Sequence, residues 1–175
     1  SRAEKVLKRV TDLIRELLRT VTELVRRNRE VIEELLRRVA KLHRDNRELN
    51  KKVLEDVRRD GPDDRLVETL KRHNEEVTKT LERLKRELEK HLEKSARDVE
   101  KLKKDLRRVA EEVRRELGDN EVVDELRRRI REVEKTLDRL LEESEERARR
   151  VLKELDRLLE ESRKSSREVI EEAKR

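Results

Sequence analysis

The sequence has no cysteine, no methionine and no aromatic residue, and only two glycines and one proline. Without cysteine there is no disulfide, no thiolate metal site and no thiol nucleophile, and the redox compartment cannot be read. Without Trp, Tyr or Phe, the aromatic readers that usually accompany nucleic-acid binding are missing. No apolar run approaches the roughly 18 residues a membrane span needs. The opening Ser1-Arg2-Ala3-Glu4 runs straight into amphipathic sequence, so neither a signal nor a transit peptide is expected. With so few breakers, long uninterrupted segments are expected too.

What is present is charge. Asp, Glu, Lys and Arg make up 55% of the chain, against about a quarter in ordinary domains. The 31% that is hydrophobic consists entirely of Ala, Val, Ile and Leu. High charge with few apolar residues is also a signature of disorder. Periodicity breaks that tie, because the apolar residues are spaced for one face of a helix. The formal net charge of +6 arises from 51 basic and 45 acidic residues mixed along the chain. Only the first sixty residues are clearly basic, with 18 basic against 12 acidic. This is the pattern of a solvated helix surface laced with i,i+4 pairs. A run such as Arg127-Arg128-Arg129 is not a one-sided basic face, and neither nucleic acid nor membrane is expected as a partner.

The glycines and the proline mark the joints. In Asp60-Gly61-Pro62-Asp63-Asp64, Gly61 suits the left-handed position that ends a helix, Pro62 prevents continuation and Asp63 can cap the next helix. In Leu117-Gly118-Asp119-Asn120, Gly118 ends a helix and Asp119 or Asn120 begins another. Loops this short force consecutive helices to run antiparallel. The expectation is an all-α, up-down-up three-helix bundle, one domain over residues 1–175, with helices at about 2–59, 63–117 and 120–174. At 1.5 Å per residue each helix would be roughly 80–90 Å long.

Within those helices the sequence repeats every 18 residues. On the first helix the inward columns read Val6, Leu24, Leu42; Val10, Asn28, Asn46; Leu13, Val31, Leu49; Ile14, Ile32, Asn50; Leu17, Leu35, Val53; and Leu18, Leu36, Leu54. The second helix keeps the period, as in Leu70, Leu88, Leu106 and Val77, Ser95, Val113, and so does the third, as in Val122, Leu140, Leu158 and Leu126, Ser144, Ser162. Eighteen residues in five turns is about 3.6 per turn, which matches a straight helix rather than a supercoiled one. The inward arc spans about 140° on the first helix and about 100–120° on the other two. The wider arc leaves room for the first helix to share a face with another chain.

The repeat exposes its own exceptions. Tight antiparallel loops put residue i of the first helix level with about 123 − i of the second, and residue j of the second level with about 237 − j of the third. Asn28 then lies beside Ser95, with His91 and Ser144 near it. Asn50 lies level with His73 and Asn74, near Ser162, Ser165 and Ser166; Asn46 is a turn away, and His43 is level with Thr80. Polar residues thus replace apolar ones at matching heights on three helices, which reads as two buried hydrogen-bond networks. Asn and His carry donors and acceptors together, and Ser bridges small gaps. Only the intended register satisfies all of them, so such layers act against sliding and wrong partners.

Other uses of these residues fit less well. His43, His73 and His91 sit at different heights with no i,i+4 pair, so they are not expected to hold a metal. His73 with Ser165 or Ser166 lacks an orienting acid, an oxyanion hole and a pocket, so no catalytic residue, cofactor or small-molecule substrate is expected. Acid would force charge onto a buried histidine, which makes a pH switch an alternative reading.

The 18-residue register, the Arg/Glu/Lys surface, the Gly-Pro-Asp-Asp and Gly-Asp-Asn loops and the Asn/His/Ser clusters run through the whole chain. In these the chain resembles computationally designed helical bundles with modular buried hydrogen-bond networks. The resemblance implies no natural substrate, production by recombinant expression, and a role as scaffold, oligomer, partner for a designed helix, or switch. Three assemblies follow: a self-contained monomer, a homo-oligomer packed through the first helix, and a bundle completed by a separate helix. A BAR-like membrane-surface module is the alternative of another class. The missing aromatics, the straight period and the weak charge asymmetry argue against it.

Overall fold

A computed structural model describes the backbone of all 175 residues and every side chain except that of Ala3. It contains three helices: α1 Arg2–Asp60, α2 Asp64–Leu117 and α3 Glu121–Lys174. Among the described residues there is no strand.

The joints take their form from the glycines. Gly61 and Gly118 have φ of 86° and 72°, a region that costs any residue with a Cβ. From there the Gly61 amide donates to the Val57 carbonyl (2.8 Å) and the Gly118 amide to the Arg114 carbonyl (2.9 Å). These are single αL closures. After Gly61 a second closing bond is ruled out, because Pro62 has no N–H to give. Asp63 Oδ1 then accepts from the Arg65 amide (2.9 Å), and Asn120 Oδ1 accepts from the Val123 amide (3.0 Å). Asn120 also donates through Nδ2 to the Leu117 carbonyl (3.0 Å), tying the start of α3 to the end of α2. Of the two caps open for α3, Asn120 is the one used.

The residues group into two compact units, each built from a segment of all three helices. The first comprises Ser1–Glu30 with His91–Arg147, the second Val31–Lys90 with Ala148–Arg175. In the first unit, Val6, Val10, Val113, Val123 and Leu126 form one buried cluster. Leu17, Val21, Leu106, Ile130 and Leu137 form another. In the second unit, Val53, Val57, Val67, Leu70, Val169 and Ala173 pack together. Leu81, Leu84, Leu88, Ala148 and Leu155 are buried there as well. Within each unit the helix segments run up, down and up.

The buried stripe on α1 is narrower than the sequence suggests. Its buried columns are Val6, with Leu24 and Leu42 half-buried; Val10, Asn28, Asn46; Ile32, Asn50, with Ile14 half-buried; Leu17, Leu35, Val53; and Val21, Val39, Val57. At 100° per residue they span about 80°. The Val21 column is missing from the inward set read above, although it lies near the middle of the arc. Leu13, Val31, Leu49, Leu24, Leu42, Leu18 and Leu54 are only half-buried, and Leu36 is 37% exposed. A helix packed against two others seals its central stripe. Residues on the flanks touch one neighbour and face water on the other side. The same effect moves the core by one residue on α3, where Val123 is fully buried and Val122 is 45% exposed.

Candidate functional site: two buried polar layers

Seven polar residues are buried in the core: Asn28, Asn46, Asn50, Asn74, Ser95, Ser144 and Ser162. They separate into two layers, one in each unit.

The layer in the first unit is built on Asn28 of α1. Its Nδ2 donates to Ser144 Oγ of α3 (3.1 Å). Its Oδ1 accepts from Ser95 Oγ (2.9 Å) and faces His91 Nε2 (2.5 Å), both on α2. A carbonyl oxygen can only accept, so His91 carries its proton on Nε2. The Ser95 hydroxyl also lies 2.9 Å from the His91 carbonyl, so its single proton is shared between two acceptors. Among the described residues, no buried side-chain atom of this layer lacks a partner. One asparagine thereby joins three helices at one height. Burial pushes the His91 imidazole below its ordinary pKa, and Lys94, one turn along α2, adds to the shift.

The layer in the second unit is joined less completely. Asn74 Nδ2 of α2 donates to Asn50 Oδ1 of α1 (3.2 Å) and to the Leu70 carbonyl one turn back (2.8 Å). Among the described residues, four buried side-chain atoms have no hydrogen-bond partner in the protein: Asn46 Oδ1, His73 Nε2, Asn74 Oδ1 and Ser162 Oγ. Each such atom costs about 1–3 kcal/mol. Four of them rival the roughly 5–15 kcal/mol by which a whole domain is stable.

The remaining polar residues singled out in the sequence lie at the edges. His43, His73, Ser165 and Ser166 are half-buried. Among the described residues, no hydrogen bond joins His73 to Ser165 or Ser166, and none is made by the His43 side chain. Ser165 instead lines an open groove of about 470 Å³ between α1 and α3, with Arg44, Arg47, Glu48, Asn50, Lys51 and Leu54. Among the described residues no group of three or more His, Cys, Asp or Glu could hold a metal ion. No helix of the described residues is long and apolar enough to cross a membrane.

Ion pairs frame both units from outside. Arg9 reaches Glu112 (2.5 Å) and Lys103 reaches Asp138 in the first; Arg58 reaches Glu172 (2.5 Å) and Lys85 reaches Asp156 (2.6 Å) in the second. Most of these side chains are well exposed, and pairs of this kind contribute little to stability.

Comparison with known proteins agrees with the fold. The chain is similar to a solved structure described as a computationally designed three helix bundle, with a TM-score of 0.52 and 17% identity over 98% of this chain and 87% of that one. No protein-family model matches the chain, and no curated protein matches it. The likeness is one of fold.

Proposed function

We propose that this chain is a designed structural scaffold without enzymatic activity, and that its buried polar layers set the register of its helices. The observation that carries the reading is the Asn28 hub. One side chain engages His91, Ser95 and Ser144 from both neighbouring helices, and among the described residues no buried side-chain atom of the layer is left unpaired. An apolar layer of the same volume would hold the helices together more strongly. It would also tolerate a one-turn slip, because Leu and Val columns recur along every helix of this chain. A slipped Asn28 would face hydrocarbon, at the full cost of an unpaired amide.

The test removes the layer as a whole. A variant with Asn28→Leu, His91→Leu, Ser95→Ala and Ser144→Ala should unfold at higher guanidinium concentration than the parent. It should also lose uniqueness, with amide NMR resonances doubled or broadened and higher assemblies visible in native mass spectrometry. A variant that is more stable and still gives one sharp set of resonances and one mass would show that the layer does not set register.

A responsive role has narrower support. The depressed proton affinity of His91 favours weakening in acid. A partner on α1, the other reading of its wide apolar arc, would have to seat on Leu36, the exposed member of the column Leu18, Leu36, Leu54.

A further inference from the structure

Among the described residues, the polar layer of the second unit leaves four buried side-chain atoms without a hydrogen-bond partner in the protein. The orientation of Asn74 is the key. Its Nδ2 already serves two acceptors, Asn50 Oδ1 and the Leu70 carbonyl. Turning the amide over would bring Oδ1 against both oxygens, acceptor against acceptor. The amide is therefore held as it stands, and Asn74 Oδ1, 99% buried as a residue, needs a donor it does not have. Asn46 Oδ1 on α1 has the same need. Ser162 Oγ on α3 and His73 Nε2 on α2 are unpartnered as well. Asn46, Asn74 and Ser162 are each at most 3% exposed, so bulk solvent does not reach them. Polar groups that approach one another beyond direct hydrogen-bonding reach are commonly joined by a bridging water.

We propose that this layer is a buried water-binding site, unlike the layer around Asn28, where each buried side-chain atom among the described residues has a partner in the protein. Water is the ligand whose chemistry fits. It gives two protons, suited to the Asn46 and Asn74 carbonyl oxygens, and accepts from the Ser162 hydroxyl or from a protonated His73 Nε2. An anion would set negative charge against those two amide oxygens. A metal ion would need ligands that converge, and among the described residues no such group exists. Buried waters typically make about three hydrogen bonds, so about one or two would answer the four atoms. The groove holding Asn50 and Ser165 gives the layer a short way out to solvent.

The experiment uses the full chain, by crystallography fine enough to place ordered waters and by water-selective NMR. A water within about 2.7–3.2 Å of at least two of the four atoms is expected. Long-lived water cross-peaks should appear at the side-chain amides of Asn46 and Asn74 and not at that of Asn28. A Ser162→Ala variant should keep the Asn74 cross-peak, which excludes relay through the serine hydroxyl. Density showing the four atoms paired directly with other side chains, or an ion among them, would overturn the proposal. So would cross-peaks of equal strength at Asn28 and Asn74.

Discussion

At the scale of single residues, the Ser95 hydroxyl on α2 donates to Asn28 Oδ1 on α1, a bond between two helices at one height. Asn28 stands in the Val10 column and Ser95 in the Val77 column, so each is visible as a break in an apolar series. Antiparallel counting from tight loops puts them at one height. Which neighbour lies deeper is another matter. His73 and Asn74 differ by about 100° around α2; the histidine is half-buried and the asparagine buried. Periodicity alone does not resolve such a step at the edge of an arc, nor does it say which layer is satisfied. The completed layer makes a prediction for acid. His91 binds a proton less readily folded than unfolded, chiefly because burial disfavours its charge and next because Lys94 repels it. Below about pH 6.5 the unfolded chain takes up a proton that the folded chain refuses, so stability falls with falling pH. The loss begins near the unfolded value and levels off once the pH drops below the folded one. His91 donates through Nε2 in either charge state, so its bond to Asn28 survives and the loss is gradual. Guanidinium midpoints measured from pH 7.5 to 5 should decline for the parent and stay nearly level for His91→Gln over that range. Parallel declines in the two proteins would count against a role for His91.

At the scale of elements, the helix ends were the most legible part. A glycine at φ near +80° has few substitutes, and Asn or Asp two residues later has an evident use as a cap. The flanks of α1 were less legible, because apolar residues there look the same in sequence whether sealed or half-open. Leu36 and Leu35 are adjacent leucines, yet one is 37% exposed and the other 4%. The loops give a clean test of the local physics. Nothing lies within 4 Å of a Cβ built on Gly61 or Gly118, so replacement by alanine meets no clash and costs only the left-handed backbone. Gly61→Ala and Gly118→Ala should each destabilise by about 1–2 kcal/mol. Asn120→Ala should cost about 1 kcal/mol through the lost cap, while Asp119→Ala, beside it and not the cap, should cost clearly less. Denaturant unfolding followed by circular dichroism measures all four. Equal losses at Asp119 and Asn120 would contradict the assigned cap.

At the scale of the whole molecule, the question is how many chains complete the core. The wide apolar arc read from the sequence leaves α1 free to share a face, but the buried stripe in the structure is about 80° wide and is covered by α2 and α3 within each unit. Among the described residues, the large hydrophobic ones left exposed are Leu36 and Val122. Exposed leucines and valines taken singly are ordinary on protein surfaces, and a stable interface buries upwards of about 1,000 Å². The chain should therefore be a monomer of 21.3 kDa. Having no Trp or Tyr, it should be followed by light scattering with refractive index rather than by absorbance at 280 nm. Its unfolding midpoint should not depend on protein concentration, since only an oligomer gains stability by mass action. Leu36→Glu should leave mass and midpoint unchanged within about 0.5 kcal/mol, as for a surface site. If α1 instead serves a second copy, the parent will run at a multiple of the monomer mass and stabilise with concentration. Leu36→Glu will then return it to the single-chain mass, which would refute the self-contained bundle and locate the shared face on α1.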